Sequence, residues 1–370
     1  MIIRASEDPT GWYQDSREGS RNGGSGGAVA FVLVVLVLVV AFFLILPNIS
    51  GGGLGFFSSI LNPSRGTSSG STSTSTLTLY SPLIQNGSAD IAYPSDYGAL
   101  SQYALGLINS DRATASLAPV QLSQSPAGQQ HSDSMLRYGY FSHWDTQGYK
   151  PYMRYSLLGG RSGVGENIAY ASYFPGRFSN SQAVEAAIAM LESSMMYNDS
   201  ACCNNGHRDN ILNPLHTRVS IGIAYNYTIL YFAEEFENYY LNVNFSLDSH
   251  YVVSMSGTVA SSVNPQEVLV AFDPSPSALT THQLNTGPNH YDPGAIVGGV
   301  LTPCTFGCPT FNQGTTAYAT TWQFGPSRFD LVFPLADFVN ANGAGVYTLY
   351  LLQGMDTGTA ITSISVFVHG

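Results

Sequence analysis

Asn204-Asn205-Gly206-His207-Arg208-Asp209-Asn210-Ile211-Leu212 is the stretch on which the fold turns. It reads as the entrance to a short helix. Asn205 is the expected N-cap, and Asp209 places acid in the first turns, where the helix dipole favours it. Ile211 and Leu212 give the helix something to bury. His207 then falls in the first turn, where the positive end of the dipole disfavours imidazolium. A neutral imidazole can bind a metal or accept a proton. What faces His207 decides its use.

Working outward toward the C-terminus, residues 218–225 and 229–236 alternate as strands around the turn Asn226-Tyr227-Thr228. Residues 241–247 form either a third strand or a connection. Toward the N-terminus, a helix is expected over 181–194, and Gly165-Glu166-Asn167-Ile168-Ala169 lies in a loop-to-helix setting. Residues 151–158 make a short helix stopped by Gly159-Gly160. Two more helices cover 125–138 and 99–113, the latter capped by Ser95-Asp96 and burying Leu100, Ala104, Leu107 and Ile108 on one face. Helices, loops and then a hairpin make an α+β sandwich, not an alternating parallel sheet.

Four pieces of this region occur in a fixed order: Leu107-Ile108-Asn109-Ser110-Asp111-Arg112, Phe141-Ser142-His143, Gly165-Glu166-Asn167-Ile168-Ala169 and Gly206-His207-Arg208-Asp209-Asn210-Ile211-Leu212. His131-Ser132-Asp133-Ser134-Met135 lies between the first two. Together they resemble the CAP superfamily, or SCP domain, of cysteine-rich secretory, antigen-5 and pathogenesis-related proteins, in its prokaryotic form. The resemblance covers about residues 95–247. It implies an α–β–α sandwich with a cleft of two histidines and two glutamates that binds zinc in some members. It assigns His143, Glu166 and His207 to that cleft. The second glutamate is displaced: the best alignment puts Ala187 and Met190 where the family has an aromatic residue and a glutamate. Glu192 or Glu185 substitutes only if the helix register shifts. The 197–205 insertion, holding Cys202 and Cys203, is a second departure.

Two histidines and a carboxylate suffice to hold zinc with water in the fourth position, and such water can hydrolyse an amide. Opposed to this is a polar cleft whose members bond one another and lock helix to loop. No His-Glu-x-x-His helix and no Gly-x-Ser-x-Gly elbow is present. Arg208 and Asp209 read as a surface or helix-end pair, His131 as a satisfied core histidine and His216 as a loop residue.

The rest of the chain sets the context. Residues 28–46 carry no charged or polar side chain; as a helix they span about 28 Å, close to a bilayer core. Arg4, Arg17 and Arg21 precede them and the next cation is Arg65, so the N-terminus is expected inside and the bulk outside. This gives a disordered cytoplasmic tail at 1–27, a transmembrane signal anchor at 28–46 and a Ser/Thr/Gly-rich stalk at 47–94. Sequons begin at Asn48, Asn86, Asn198, Asn226 and Asn244, Asn48 lying too near the membrane for modification. Oxidation outside the cell favours a local Cys304–Cys308 bridge and leaves Cys202–Cys203 as a vicinal pair; two crosslinks between the halves are the rival pairing. Only 10% of residues are charged, the net charge is -11 and Lys150 is the single lysine, which excludes a nucleic-acid footprint.

Residues 250–370 change character, to short strands rich in Val, Phe, Tyr and Thr at 251–259, 267–272, 317–324, 329–334, 346–352 and 361–369. They predict an all-β immunoglobulin- or fibronectin-like sandwich, with Tyr347 as a corner tyrosine and 284–309 as its irregular loop. The chain is thus read as a single-pass, membrane-anchored extracellular protein acting in cell-surface binding or interaction. Its cleft takes a small ligand, lipid or metal, and its partners are the membrane and a small ligand or surface protein. The alternative is a metal-dependent hydrolase of peptides or envelope material, with zinc as the cofactor.

Overall fold

The computed structural model describes residues 2–6, 96–172, 178–311, 313–353 and 360–370. In the first half, α1 (Tyr97–Thr114) buries Leu100, Ala104 and Ile108, one residue per turn. The same face ends on Arg112, whose guanidinium donates to the carbonyls of Ala118, Ile211 and Asn213. α2 (Ala127–Tyr138) stops at Gly139, which takes the left-handed φ of 68°. α3 (Pro151–Leu157) starts with proline in its first turn, where no N–H is needed. α4 (Ser181–Tyr197) is capped by the Asn180 side chain on the Ala183 N–H. Two short helices follow, α5 (Ser200–Cys203) and α6 (Gly206–Ile211).

These helices cover a five-stranded sheet of order β1-β3-β5-β4-β2. Its members are β1 (Ile2–Ser6), β2 (Gln121–Leu122), β3 (Gly163–Ser172), β4 (Arg218–Tyr225) and β5 (Ile229–Asn238). α2 lies directly on β4 because a Cβ at Gly222 would stand 2.0 Å from the Gly128 carbonyl oxygen. Residues 165–169 are strand, not loop-to-helix: β3 pairs with β5 along its whole length. Both faces of β3 are covered, so its sequence lacks the alternation that announces a strand. Asn205 precedes α6 but sits at φ 70° and makes no side-chain cap. Asp199 takes that role, its Oδ2 accepting the Arg208 N–H at 3.1 Å. The tail read as unstructured contributes Ile2–Ser6 to the sheet edge, antiparallel to β3 at Ile168–Ser172.

The second half holds two sheets, of order β11-β12-β7-β6 and β10-β9-β8-β13-β14. The first contains β6 (Leu241–Leu247), β7 (Val252–Val259), β11 (Thr321–Phe324) and β12 (Arg328–Pro334). The second contains β8 (Glu267–Asp273), β9 (Ala295–Leu301), β10 (Thr315–Tyr318), β13 (Gly345–Leu351) and β14 (Ile364–Val368). Their inner faces share one apolar core, including Met255, Leu331 and Phe333 from one sheet and Val270, Leu349 and Val366 from the other. Leu241–Leu247 is a strand and pairs with β7, in the first sheet of this half. The region 284–309 is more regular than its sequence suggests: it contains β9 and the second half of α7 (Thr281–Thr286). A further helix, α8 (Ala336–Asn342), leads into β13. Tyr347 makes the expected corner, its hydroxyl donating to the Gly343 carbonyl at 2.7 Å.

The halves form one compact unit. Lys150 of the first half reaches Asp273 at 2.8 Å and Asp292 at 2.6 Å in the second. The Tyr152 hydroxyl donates to the other Asp273 oxygen at 2.7 Å. Asn238 Nδ2 donates to the Ala360 carbonyl at 2.7 Å, and the Gly163 N–H to that of Ile361 at 3.0 Å. The disulfides are Cys202–Cys203 and Cys304–Cys308. Asn198, Asn226 and Asn244 are exposed. The segment 28–46, the stalk, Asn48 and Asn86 lie outside the described residues. Among the described residues no helix is long and apolar enough to cross a membrane.

Candidate functional site

The site is built on two adjacent residues of β3. Successive strand side chains point to opposite faces, so Glu166 and Asn167 look into different layers of the sandwich. On one face Glu166 is fully buried between α2, α3 and the 139–150 loop. His143 Nδ1 lies 2.8 Å from its Oε1, and His131 Nδ1 lies 2.7 Å from its Oε2. Arg154 Nη2 donates to the same Oε2 at 2.6 Å, and Arg154 Nη1 to the His143 carbonyl at 2.5 Å. Glu235, the register partner of Glu166 on β5, stands behind it, 3.8 Å from Arg154 Nη2.

On the other face Asn167 ties β3 to α6. Its Nδ2 donates to the His207 carbonyl at 3.2 Å and to Glu234 Oε2 at 3.1 Å, and its Oδ1 accepts from Asn210 Nδ2 at 3.0 Å. His207 Nδ1 lies 2.6 Å from Asp199 Oδ1. Glu192 of α4 is buried against Glu234 and meets no other donor, so the two carboxyls can bond only by sharing a proton. Asn210 also meets His216, whose ring is buried between Asn210 Oδ1 and Asn238 Oδ1, each at 2.7 Å.

The charges follow from these contacts. Burial alone would raise the Glu166 pKa; the charges of His131 and Arg154 and the hydrogen bonds from both imidazoles outweigh it and hold it well below the carboxylate range. Glu235 goes the other way, raised by burial and then by the Glu166 charge beside it. Glu192 is raised by burial and by Glu234. Burial lowers the pKa of both His131 and His143, and His207 adds to the effect at His143. His216 falls to about 3. A neutral His143 that donates from Nδ1 to Glu166 carries its lone pair on Nε2, which is buried and unpartnered, as is Nε2 of His207.

The second half covers this place. The Tyr291 hydroxyl accepts the Glu166 backbone N–H at 3.1 Å, and its ring packs edge-on against His143 with centroids 4.7 Å apart. Beside it α7 inserts Leu284 among Met135, Tyr140, Ile168 and Tyr231. Asn285 Oδ1 accepts the Phe141 N–H at 2.8 Å.

His143, Glu166 and His207 do not fit a three-ligand zinc site. Both Glu166 oxygens are engaged by Arg154 and the two imidazoles, which makes Glu166 the residue that orients His143. Among the described residues, the trio whose ligand atoms lie within 4.8 Å of one another is instead Asp199, Cys203 and His207. Of the two substitute acids, Glu192 does reach the His207 side, while Glu185 is half-buried elsewhere on α4. His131 is a buried member of the Glu166 cluster, and His216 is a loop residue with a structural place. Arg154, Asp199, Glu234, Glu235 and Tyr291 escaped the sequence reading. Glu234-Glu235 did leave a signal: adjacent acids inside an apolar strand put one carboxyl on each face.

Residues 105–245 match the family model described as CAP, Cysteine-rich secretory protein family. They form a CAP domain. Two solved structures resemble the chain. One is an extracellular protein containing a SCP domain from Bacillus anthracis, 24% identical with a TM-score of 0.28, over 38% of this chain and 40% of that one. The other is the CAP domain of Enterococcal PrgA, 12% identical with a TM-score of 0.27, over 38% of this chain and 60% of that one. The chain thus spans less than two thirds of either. No curated protein matches it. In the CAP domain here, Glu166 is held by the Arg154 guanidinium and two imidazoles on one face of the sheet, and His207 by an acid on the other.

Proposed function

We infer that this is a membrane-anchored extracellular CAP-domain protein of cell-surface binding, whose cleft is a recognition pocket closed by its own second half. The observation that carries this reading is Tyr291, which sits on His143 and takes the outward N–H of Glu166. A ligand reaching the free Nε2 of His143 displaces that ring. Full engagement of the Glu166 carboxylate speaks against its use as a general base. The hydrolase reading retains one supporting feature, the split between Glu166, held ionised, and Glu235, held protonated.

The test is histidine modification by diethylpyrocarbonate, followed residue by residue in the full-length protein. Tyr291→Ala should expose His143 to modification while the wild type resists it. Equal resistance in both would remove the gate. Zinc-dependent peptidase activity that disappears in both His143→Ala and His207→Ala would install the hydrolase in its place.

The anchor at 28–46 has a structural consequence. A span there with the N-terminus inside withdraws Ile2–Ser6 from the β3 edge, so the two arrangements exclude each other in one chain. Protease added to intact cells should spare the tail and degrade the CAP domain; the reverse overturns the orientation.

A further inference from the structure

Beyond the His143–Glu166 cluster, the 197–205 insertion builds a second constellation that the proposed recognition pocket does not use. Asp199, Cys203 and His207 are all buried, and one ligand atom from each lies within 4.8 Å of the other two. Carboxylate, thiolate and imidazole form a ligand set for zinc, whose bonds of about 2.0–2.3 Å set its tetrahedral ligands roughly 3.3–3.8 Å apart. His207 Nδ1 already lies 2.6 Å from Asp199 Oδ1 in a hydrogen bond, and a cation bound to both atoms would replace that bond. What withholds the third ligand is the bond from Cys203 to Cys202. The two sulfur-bearing residues differ in access: Cys202 is exposed and Cys203 is buried.

We propose that the Cys202–Cys203 disulfide is a redox gate on a zinc site formed by Asp199, Cys203 and His207. A thiolate of an external dithiol attacks the exposed Cys202 sulfur, and the Cys202–Cys203 bond breaks. Cys203 leaves as a thiolate toward His207. The second thiol of the reductant then displaces Cys202 from the mixed disulfide. The reductant ends as a disulfide and the protein as two thiols, a balanced two-electron exchange. The metal binds the Cys203 thiolate, an Asp199 oxygen and His207 Nδ1; the ring proton moves to Nε2, which has no partner to oppose it. The fourth position goes to water. The reverse exchange, in which the oxidised dithiol takes the two electrons back and returns to two thiols, restores the Cys202–Cys203 bond, removes the sulfur ligand and ejects the metal.

The experiment uses the full-length protein in a Cys304→Ser/Cys308→Ser background, so that one disulfide remains, and Co2+ as the probe. A water-soluble phosphine serves as reductant, because it converts disulfide and water to two thiols and phosphine oxide without holding the metal. Reduced protein should bind one equivalent of Co2+ with a thiolate-to-metal charge-transfer band; oxidised protein should show no such band. Cys202→Ser should give the band without reductant, and Cys203→Ser should never give it. Asp199→Asn should weaken binding at least about tenfold. His143→Ala should keep the band, which separates this site from the recognition pocket. A folded Cys202→Ser protein without the band overturns the proposal. If that variant does not fold, reduced wild type decides: native circular dichroism without the band overturns it equally.

Discussion

Both halves bury an apolar core, but they differ in the charged groups enclosed with it. The sandwich half closes over Val, Leu, Phe and Ile, and within that core Tyr347 spends its hydroxyl on nearby backbone carbonyls. The CAP half encloses Glu166, Glu192, Glu234 and Glu235 with His131, His143, His207 and Arg154 beneath the same kind of apolar shell. The sandwich therefore behaves as scaffold. The CAP half carries groups whose burial costs stability unless each is paired, and such groups mark a site. The sandwich also completes that site, through Tyr291.

The contrast can be broken most severely at Arg154. Arg154→Ala leaves Glu166 ionised and buried with only imidazoles to answer it, and should cost about 3–5 kcal/mol in denaturant unfolding. A loss no larger than that of an exposed arginine would mean that the cluster is solvated.

A smaller effect concerns pH. The folded pKa values of Glu192, Glu234 and Glu235 lie above the unfolded value of about 4.3, so the folded chain holds these protons more tightly. Their contribution is complete below that value and is lost as pH rises through the folded pKa values. Glu166 has the opposite sign: its contribution is present above about 4.3 and is lost as pH falls through its depressed pKa. Stability from these four groups alone should peak in the ordinary carboxyl range and decline on both sides. Glu192→Gln supplies Glu234 with a permanent donor and should flatten the alkaline limb of a Tm-versus-pH profile. An unchanged limb would show that Glu192 and Glu234 do not share a proton.

The smallest change tests the sandwich. Tyr347→Phe removes hydroxyl bonds to two carbonyls and should cost about 1 kcal/mol with no change in the pH profile. A changed profile would mean that the halves are electrostatically coupled beyond their shared interface.

Much of this was readable in the residues. The face of α1 is visible in Leu100, Ala104 and Ile108, and the corner in Tyr347. The order of the four motif pieces was enough to indicate the CAP domain. β3 was not readable, because a strand covered on both faces shows no alternation and its Glu166-Asn167 pair resembles a loop. Leu241–Leu247 alternates cleanly, yet nothing local reveals that its partner is β7 and not β5. The split of the motif residues between two faces follows from the pleat, which is visible only once β3 is known to be a strand. Tyr291 lies 125 residues from the backbone N–H it meets, a separation that no periodic pattern encodes.

Lys150 closes the interface between the halves, and it is the only lysine in the chain. Its ammonium is clasped by Asp273 and Asp292, so amine-directed reagents find no free side-chain target while the halves stay together. Acylation at residue 150 would then serve as a built-in reporter. Its rate measures how often the sandwich lifts from the CAP domain, and with it how often Tyr291 lets go of His143.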